Sequence, residues 1–186
     1  MTRVAIIQGN PDAASTHFGH ALAEAYASAA REAGHEVREI RVASLDFALL
    51  KTQEEWRGAP PPAIASAQQT IAWAEHLVFV FPLWLGDMPA LLKGFLEQAL
   101  RPGFALGENF TRLLKSRSAR LIVTMGMPGL AYRFWFRSHS MKSFERNILH
   151  FCGVSPVHMT YVGLVEQKRG RERALAKAVA LGRKAA

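Results

Sequence analysis

The stretch His76-Leu77-Val78-Phe79-Val80-Phe81-Pro82-Leu83-Trp84-Leu85-Gly86-Asp87-Met88-Pro89 decides the fold. Its first six residues are the most apolar strand candidate in the chain and lack the alternation of a half-exposed strand. Such a run reads as a strand buried on both faces, central in a parallel sheet. It stops at Pro82. A helix runs from about Pro89 to Leu100, with Pro89 suited to its first turn.

The same unit recurs on either side. Upstream, Arg3 to Gln8 is a short buried strand ending at Gly9-Asn10-Pro11-Asp12. From Ser15, a polar N-cap candidate, Phe18, Leu22, Ala25, Tyr26, Ala29 and Ala33 recur at helical steps, and Gly34 closes the pattern. His35 to Val42 alternates charged and apolar residues, as a strand near a sheet edge does. Pro60-Pro61-Pro62 precedes a helix from about Ala63 to Ala74. Downstream, Arg120 to Met125 is a fourth buried strand ending in Gly126-Met127-Pro128-Gly129. A helix around Met141 to Phe151, a fifth strand at Val157 to Val162 and a helix from about Arg171 follow. Five strands alternating with five helices predict one α/β domain over residues 1–186, a parallel doubly wound sheet with helices on both faces. Ligands bind such sheets beyond the carboxyl ends of the strands. The loops after the first, third and fourth strands are therefore where function is expected.

The chain has 186 residues and a formal charge of +8. A single cysteine, Cys152, excludes an intrachain disulfide and a cysteine-based metal cluster, and suits a reducing, cytoplasmic compartment. No signal peptide is read at the N-terminus, and the run Leu77 to Leu85 is too short to span a bilayer. Basic residues gather late, from Arg112 to Arg146 and from Lys168 to Lys184. No nucleic-acid-binding motif accompanies them, so no nucleic-acid partner is expected; a solvated face and a site for anionic phosphates are.

Each loop offers a distinct chemistry. Asn10, Ser15, Thr16 and His17 precede or open the first helix, where backbone N–H groups and hydroxyls make a phosphate site; plain capping by Ser15 is the alternative. Neither G-x-G-x-x-G nor a Walker motif is present. Pro82, Leu83, Trp84 and Leu85 put apolar surface on the second loop, suited to a flat ring system or to a core or subunit contact. The third loop runs from Thr124, Met125 and Gly126 through Tyr132-Arg133-Phe134-Trp135-Phe136-Arg137 to His139. Its aromatics would cap a planar ligand or fill an interface. Tyr132 and His139 are the nearby pair able to donate or shuttle a proton.

At these loops the sequence resembles the flavodoxin-like NAD(P)H:quinone oxidoreductases. Phe81-Pro82-Leu83-Trp84 through Pro89-Ala90-Leu91-Leu92-Lys93-Gly94-Phe95 is similar to the family's F-P-L-x-W/F…P-A-x-L-K-G-[WF] segment. Asn147-Ile148-Leu149-His150-Phe151-Cys152-Gly153 is similar to its I-L-x-F-C-G segment. The resemblance implies a three-layer sandwich with strand order 2-1-3-4-5 and a flavin at a homodimer interface. It implies that Asn10, Ser15, Thr16, His17 and Phe18 hold the phosphate and ribityl chain. Pro82, Leu83, Trp84 and Leu85 would meet the ring, with Thr124, Met125 and Gly126 along its other edge. Tyr132 and His139 would stabilise charge on the reduced ring. The phosphate loop is longer than the family's, with Asn10 where histidine is common, and the spacing from Tyr132 to His139 also differs.

The implied reaction is a ping-pong, two-electron transfer from NAD(P)H to a quinone-like acceptor. FMN is preferred to FAD because FAD-holding members carry further C-terminal sequence. Two other readings stand beside it. One is a flavodoxin-type electron carrier, against which the basic charge speaks. The other is a flavin- or nucleotide-binding regulatory subunit docked peripherally on a transporter.

Overall fold

The computed structural model describes residues 1–14 and 16–186. Strands β1 (Arg3–Gln8), β2 (Glu36–Arg41), β3 (His76–Pro82), β4 (Ser118–Thr124) and β5 (Val157–Val162) form one parallel sheet in the order β2-β1-β3-β4-β5. The apolar run from His76 is thus the middle strand, buried from His76 to Phe81. The alternating segment is an edge strand, with only Ile40 fully buried.

Successive residues of the inner strands serve opposite faces. On one face Val4, Ile6, Val78, Val80 and Ile122 pack beneath α1 (Phe18–Glu32) and α8 (Lys168–Gly182). On the other, Ala5, Ile7, Phe79, Phe81, Leu121 and Val123 pack beneath the remaining helices. These are α3 (Pro62–Trp73), α4 (Ala90–Ala99), α5 (Gly129–Phe134), α6 (His139–Ser143) and α7 (His150–Cys152), while the short α2 (Gln53–Arg57) buries no residue. Phe144, just after α6, lies edge-on to Phe79, with ring centroids 5.1 Å apart, and ties that segment to the sheet. α1 and α8 approach so closely that a Cβ on Gly182 would lie 2.3 Å from the Tyr26 carbonyl oxygen.

Several boundaries differ from the sequence reading. Pro89 stands just outside α4 as its N-cap residue, accepting from the Lys93 amide at 3.1 Å. The helix expected from Met141 begins at His139 and passes through a π-helical stretch, Phe144–Leu149, before α7. The segment from Tyr132 is not a loop, because α5 contains Tyr132 to Phe134. α2 was not foreseen, since five residues carry no apolar period. It is held by Thr52, which accepts from the Glu55 amide, and by Arg101, whose guanidinium donates to the carbonyls of Glu55 and Gly58. The N-cap expectation at Ser15 lies outside the described residues.

His76 is buried at the start of β3, with Nδ1 2.7 Å from the Ser118 hydroxyl. Burial, and then the charges of Arg120 and His158, push its pKa down to about 4. The folded protein therefore holds this ring neutral, while the unfolded chain protonates it near 6.5. Its contribution is intact above pH 6.5 and falls away as pH drops toward 4. Urea unfolding across that range is expected to show a stability loss that is shallower in His76→Gln.

Candidate active site

Three hydrogen bonds extend the sheet past its strand ends and bring the loops level. The Gly9 amide donates to Val80 O at 2.8 Å, that of Leu83 to Thr124 O at 2.8 Å, and that of Met125 to Val162 O at 2.9 Å. Thr124 and Met125 are consequently buried in the sheet and core, and the first residue of the β4 loop open to a ligand is Gly126, where a Cβ would meet nothing within 4 Å.

The β1 loop is ordered by its own side chains. Buried Asn10 accepts from the Asp12 amide at 3.1 Å, and Asp12 accepts from the Ala14 amide at 2.8 Å. The other Asp12 oxygen lies 2.7 Å from His17 Nε2. The Ala14 amide first, and then His17, hold the Asp12 carboxyl below its usual pKa. His20 was not foreseen. Its ring sits between Gln8 Oε1 and the Asp12 carbonyl, the latter 3.0 Å away, and Gln8 is oriented by donating Nε2–H to Glu39. His17 is the N-cap residue of α1, yet its side chain caps no amide, and the first turn holds no acidic residue. The positive end of a 15-residue helix thus faces the loop without a competing carboxylate of its own. Thr16 is exposed beside it. Phe18 is turned away, half-buried against the α1–α8 core with the Arg171 guanidinium 4.7 Å from its ring.

Pro82 ends β3 and Leu83 is half-buried, so the exposed part of the second loop is a tight turn, Trp84 to Asp87. Its ends exchange two backbone hydrogen bonds at 2.8 and 2.9 Å. Both central residues have positive φ, Leu85 at 48° and Gly86 at 82°. Glycine suits this geometry, whereas leucine is strained in it. Leu85 is nevertheless fully exposed at the tip, beside a half-exposed Trp84. Neither burial nor backbone preference explains a leucine there.

That turn is fastened to the third loop. Ser140 donates its hydroxyl to Gly86 O at 2.6 Å, and the Tyr132 hydroxyl lies 2.5 Å from Ser140 Oγ. Tyr132 is buried, stacked on Phe136 and edge-on to Tyr161, and burial raises its pKa. It therefore points inward to the turn. His139, at the start of α6, is exposed, and its ring makes no hydrogen bond among the described residues. Phe134, Trp135 and Phe136 are exposed, together with Met127 and Leu130. The site thus joins an apolar rim on the second and third loops to a helix N-terminus on the first. Ser140, whose role no motif announced, holds the rim together.

A family model for the flavodoxin-like fold matches residues 2–183. The chain belongs to that family. It is 28% identical to an uncharacterized NAD(P)H oxidoreductase of Haemophilus influenzae over 167 residues, covering 85% of this chain and 82% of the relative. It is 26% identical to NAD(P)H dehydrogenase [quinone] 1 of Rattus norvegicus, matching 74% of this chain but spanning only 61% of the rat protein. The NAD(P)H:quinone oxidoreductase of Methanothermobacter marburgensis superposes with a TM-score of 0.85 at 25% identity, covering 98% of this chain and 96% of that one. Among the described residues no helix is long and apolar enough to cross a membrane, and no group of three or more His, Cys, Asp or Glu side chains is placed to hold a metal ion.

The strained turn supplies a test. Leu85→Gly is expected to raise stability by roughly 1 kcal/mol, the cost of a left-handed β-carbon-bearing residue. Urea unfolding measures it, and a loss of stability would show that Leu85 is held there by folding rather than kept for a ligand.

Proposed function

We propose that the protein is a flavin-dependent NAD(P)H oxidoreductase that reduces quinone-type acceptors. The observation that carries this reading is Leu85, a fully exposed leucine on strained backbone, level with the open end of β4. The relatives named above support it. So does the fit of the residues to a flavin: an apolar rim for a flat ring lies across the sheet edge from a helix N-terminus suited to its phosphate.

In this reading the first turn of α1, Thr16 and His17 hold the phosphate, with Asn10 fixing the loop's shape; Ser15 belongs to the same segment. Phe18 supports α1 from below. Trp84 and Leu85 meet the ring, Leu83 and Pro82 back them, and Gly126 gives its N–H at the other edge. Thr124 and Met125 act by setting where Gly126 stands. A bound flavin supplies hydride transfer that side chains lack. The chain's residues position the reactants and exclude water, and a nicotinamide and then a quinone occupy the same apolar rim in turn. His139 is the exposed donor for developing negative charge. Tyr132 is a positioning residue, since its hydroxyl reaches Ser140 and the turn. FMN, with its single phosphate, matches the one helix N-terminus at this loop. Exposed Trp135 and its neighbours support a second copy of the chain closing the site.

The purified protein is expected to show a flavin spectrum that bleaches with NADH or NADPH and recovers with a quinone. Chromatography of the released chromophore is expected to give FMN. A colourless protein that refuses added flavin would overturn the reading.

Tyr132→Phe removes the link to Ser140 and is expected to lower stability by about 1 kcal/mol and to weaken flavin binding. His139→Gln is expected to leave flavin content unchanged and to reduce kcat roughly tenfold or more. Stopped-flow reduction and flavin titration separate the two, and an unchanged kcat in His139→Gln would remove that residue from the reaction.

A further inference from the structure

A second concavity lies against α5, and its lining omits Tyr132 and Ser140, which touch the Trp84 turn. It encloses about 770 Å³ between α5, α6, the edge strand β5 and α8. Arg133, Arg137, Lys142 and Lys177 line it, and Glu145 is the one carboxylate among its lining residues. None of the four cations makes an ion pair among the described residues. Four like charges around one cavity repel one another unless an anion sits between them.

A second observation points the same way. Ser138 also lines this cavity, is 2% exposed, and its hydroxyl has no hydrogen-bond partner. A buried hydroxyl left unpaired is destabilising, so the fold holds this wall of the cavity at a cost. The backbone there is left-handed at both Arg137 and Ser138, with φ 51° at each. Two arginines with two lysines match the donor pattern that recognises a phosphate monoester. Phe134 and Tyr161 add aromatic surface on the same wall.

The position also selects the ligand. β5 lies two strands from β3, about 10 Å at ordinary strand spacing, and on the opposite side of the sheet centre from the N-terminus of α1. The cavity is therefore separate from the phosphate loop of β1. That two-strand offset is shorter than an extended dinucleotide whose reactive end lies over the β3 turn.

We propose that this cavity binds the phosphate monoester of a nucleotide, namely the 2′-phosphoadenosine end of NADPH, with Arg133, Arg137, Lys142 and Lys177 on the phosphate and the base against Phe134 or Tyr161. The proposal rests on the oxidoreductase reading and gives it a preference for NADPH over NADH.

Calorimetry on the protein as purified, with 2′-AMP, 5′-AMP and inorganic phosphate as probes, tests it. 2′-AMP is expected to bind about tenfold more tightly than either of the others, a difference of about 1.4 kcal/mol. The double variant Arg137→Ala/Lys142→Ala is expected to lose that binding at least tenfold, with Arg137→Lys retaining most of it. Both positions are exposed, and a thermal melt checks that the variants fold. In turnover, the KM for NADPH is expected to rise about tenfold more than that for NADH in the double variant. Inorganic phosphate binding as tightly as 2′-AMP would reduce the cavity to a bare anion site and overturn the proposal. So would 2′-AMP binding that ignores the double variant, or equal changes in the two KM values. Calorimetry needs no flavin chemistry, so a protein that takes no flavin refutes the oxidoreductase reading while its 2′-AMP binding is still read independently.

Discussion

The Gly9 amide donating to Val80, that of Leu83 to Thr124 and that of Met125 to Val162 carry the parallel ladder beyond the formal ends of β1, β3 and β4. A parallel sheet with both faces covered satisfies its backbone only by such pairing, since no water reaches the interior. Each bond fixes the residue at which one strand releases the chain into its loop. Because the three releases are level, the α1 N-terminus, the Trp84 turn and Gly126 come to one edge. Shifting any of the inner strands by one residue would exchange the side chains of its two helix-covered faces. The location of the site is thus a consequence of core packing.

Above that platform, polar contacts do the fine positioning. The Gly86 carbonyl receives Ser140, and Ser140 meets Tyr132, so hydrogen bonds join the turn after β3 to α5 and α6. Asp12 plays the matching part in the first loop by holding the Ala14 amide and His17. Its carboxylate would repel a phosphate if left alone. Its oxygens are instead held by the Ala14 amide and His17, beside the helix N-terminus, which presents the opposite sign.

Much of this was legible from the residues. The apolar run from His76 to Phe81 reads as a central buried strand, and the alternation of His35 to Val42 as a half-exposed or near-edge one, and both are found so. The three loops followed from the order of elements. What the sequence hid was direction and pairing. Tyr132 sits in an aromatic cluster that reads as a roof, but α5 turns it inward, because a ring between Phe136 and Tyr161 is buried more completely than one facing a ligand. Phe18 went the same way, drawn against α8 and beneath Arg171. His20 and Ser140 carry no motif, and their roles arise from contacts spanning 12 and 54 positions of sequence. Leu85 was visible as an apolar loop residue, but its strained backbone was not, because a leucine does not announce positive φ.

That strain is the feature a purely structural account leaves over. A folded chain gains by burying leucine and by placing glycine at positive φ, and at Leu85 it does neither. The exposed aromatics of α5 and the segment after it repeat the pattern, with apolar area left in water at the same end of the sheet. Around the cavity beside β5 the excess is of charge, four cations and an unpaired buried hydroxyl. Of these departures from good folding practice, the Leu85 turn and the exposed aromatics after β4 lie beyond the carboxyl ends of the strands, and the cationic cavity lies beside β5. A protein tolerates such departures where a ligand later supplies the missing contact, and the kinds differ in the way a flat apolar ring differs from a phosphate. In the proposed reading, a molecule that carries both would supply the contacts this surface lacks.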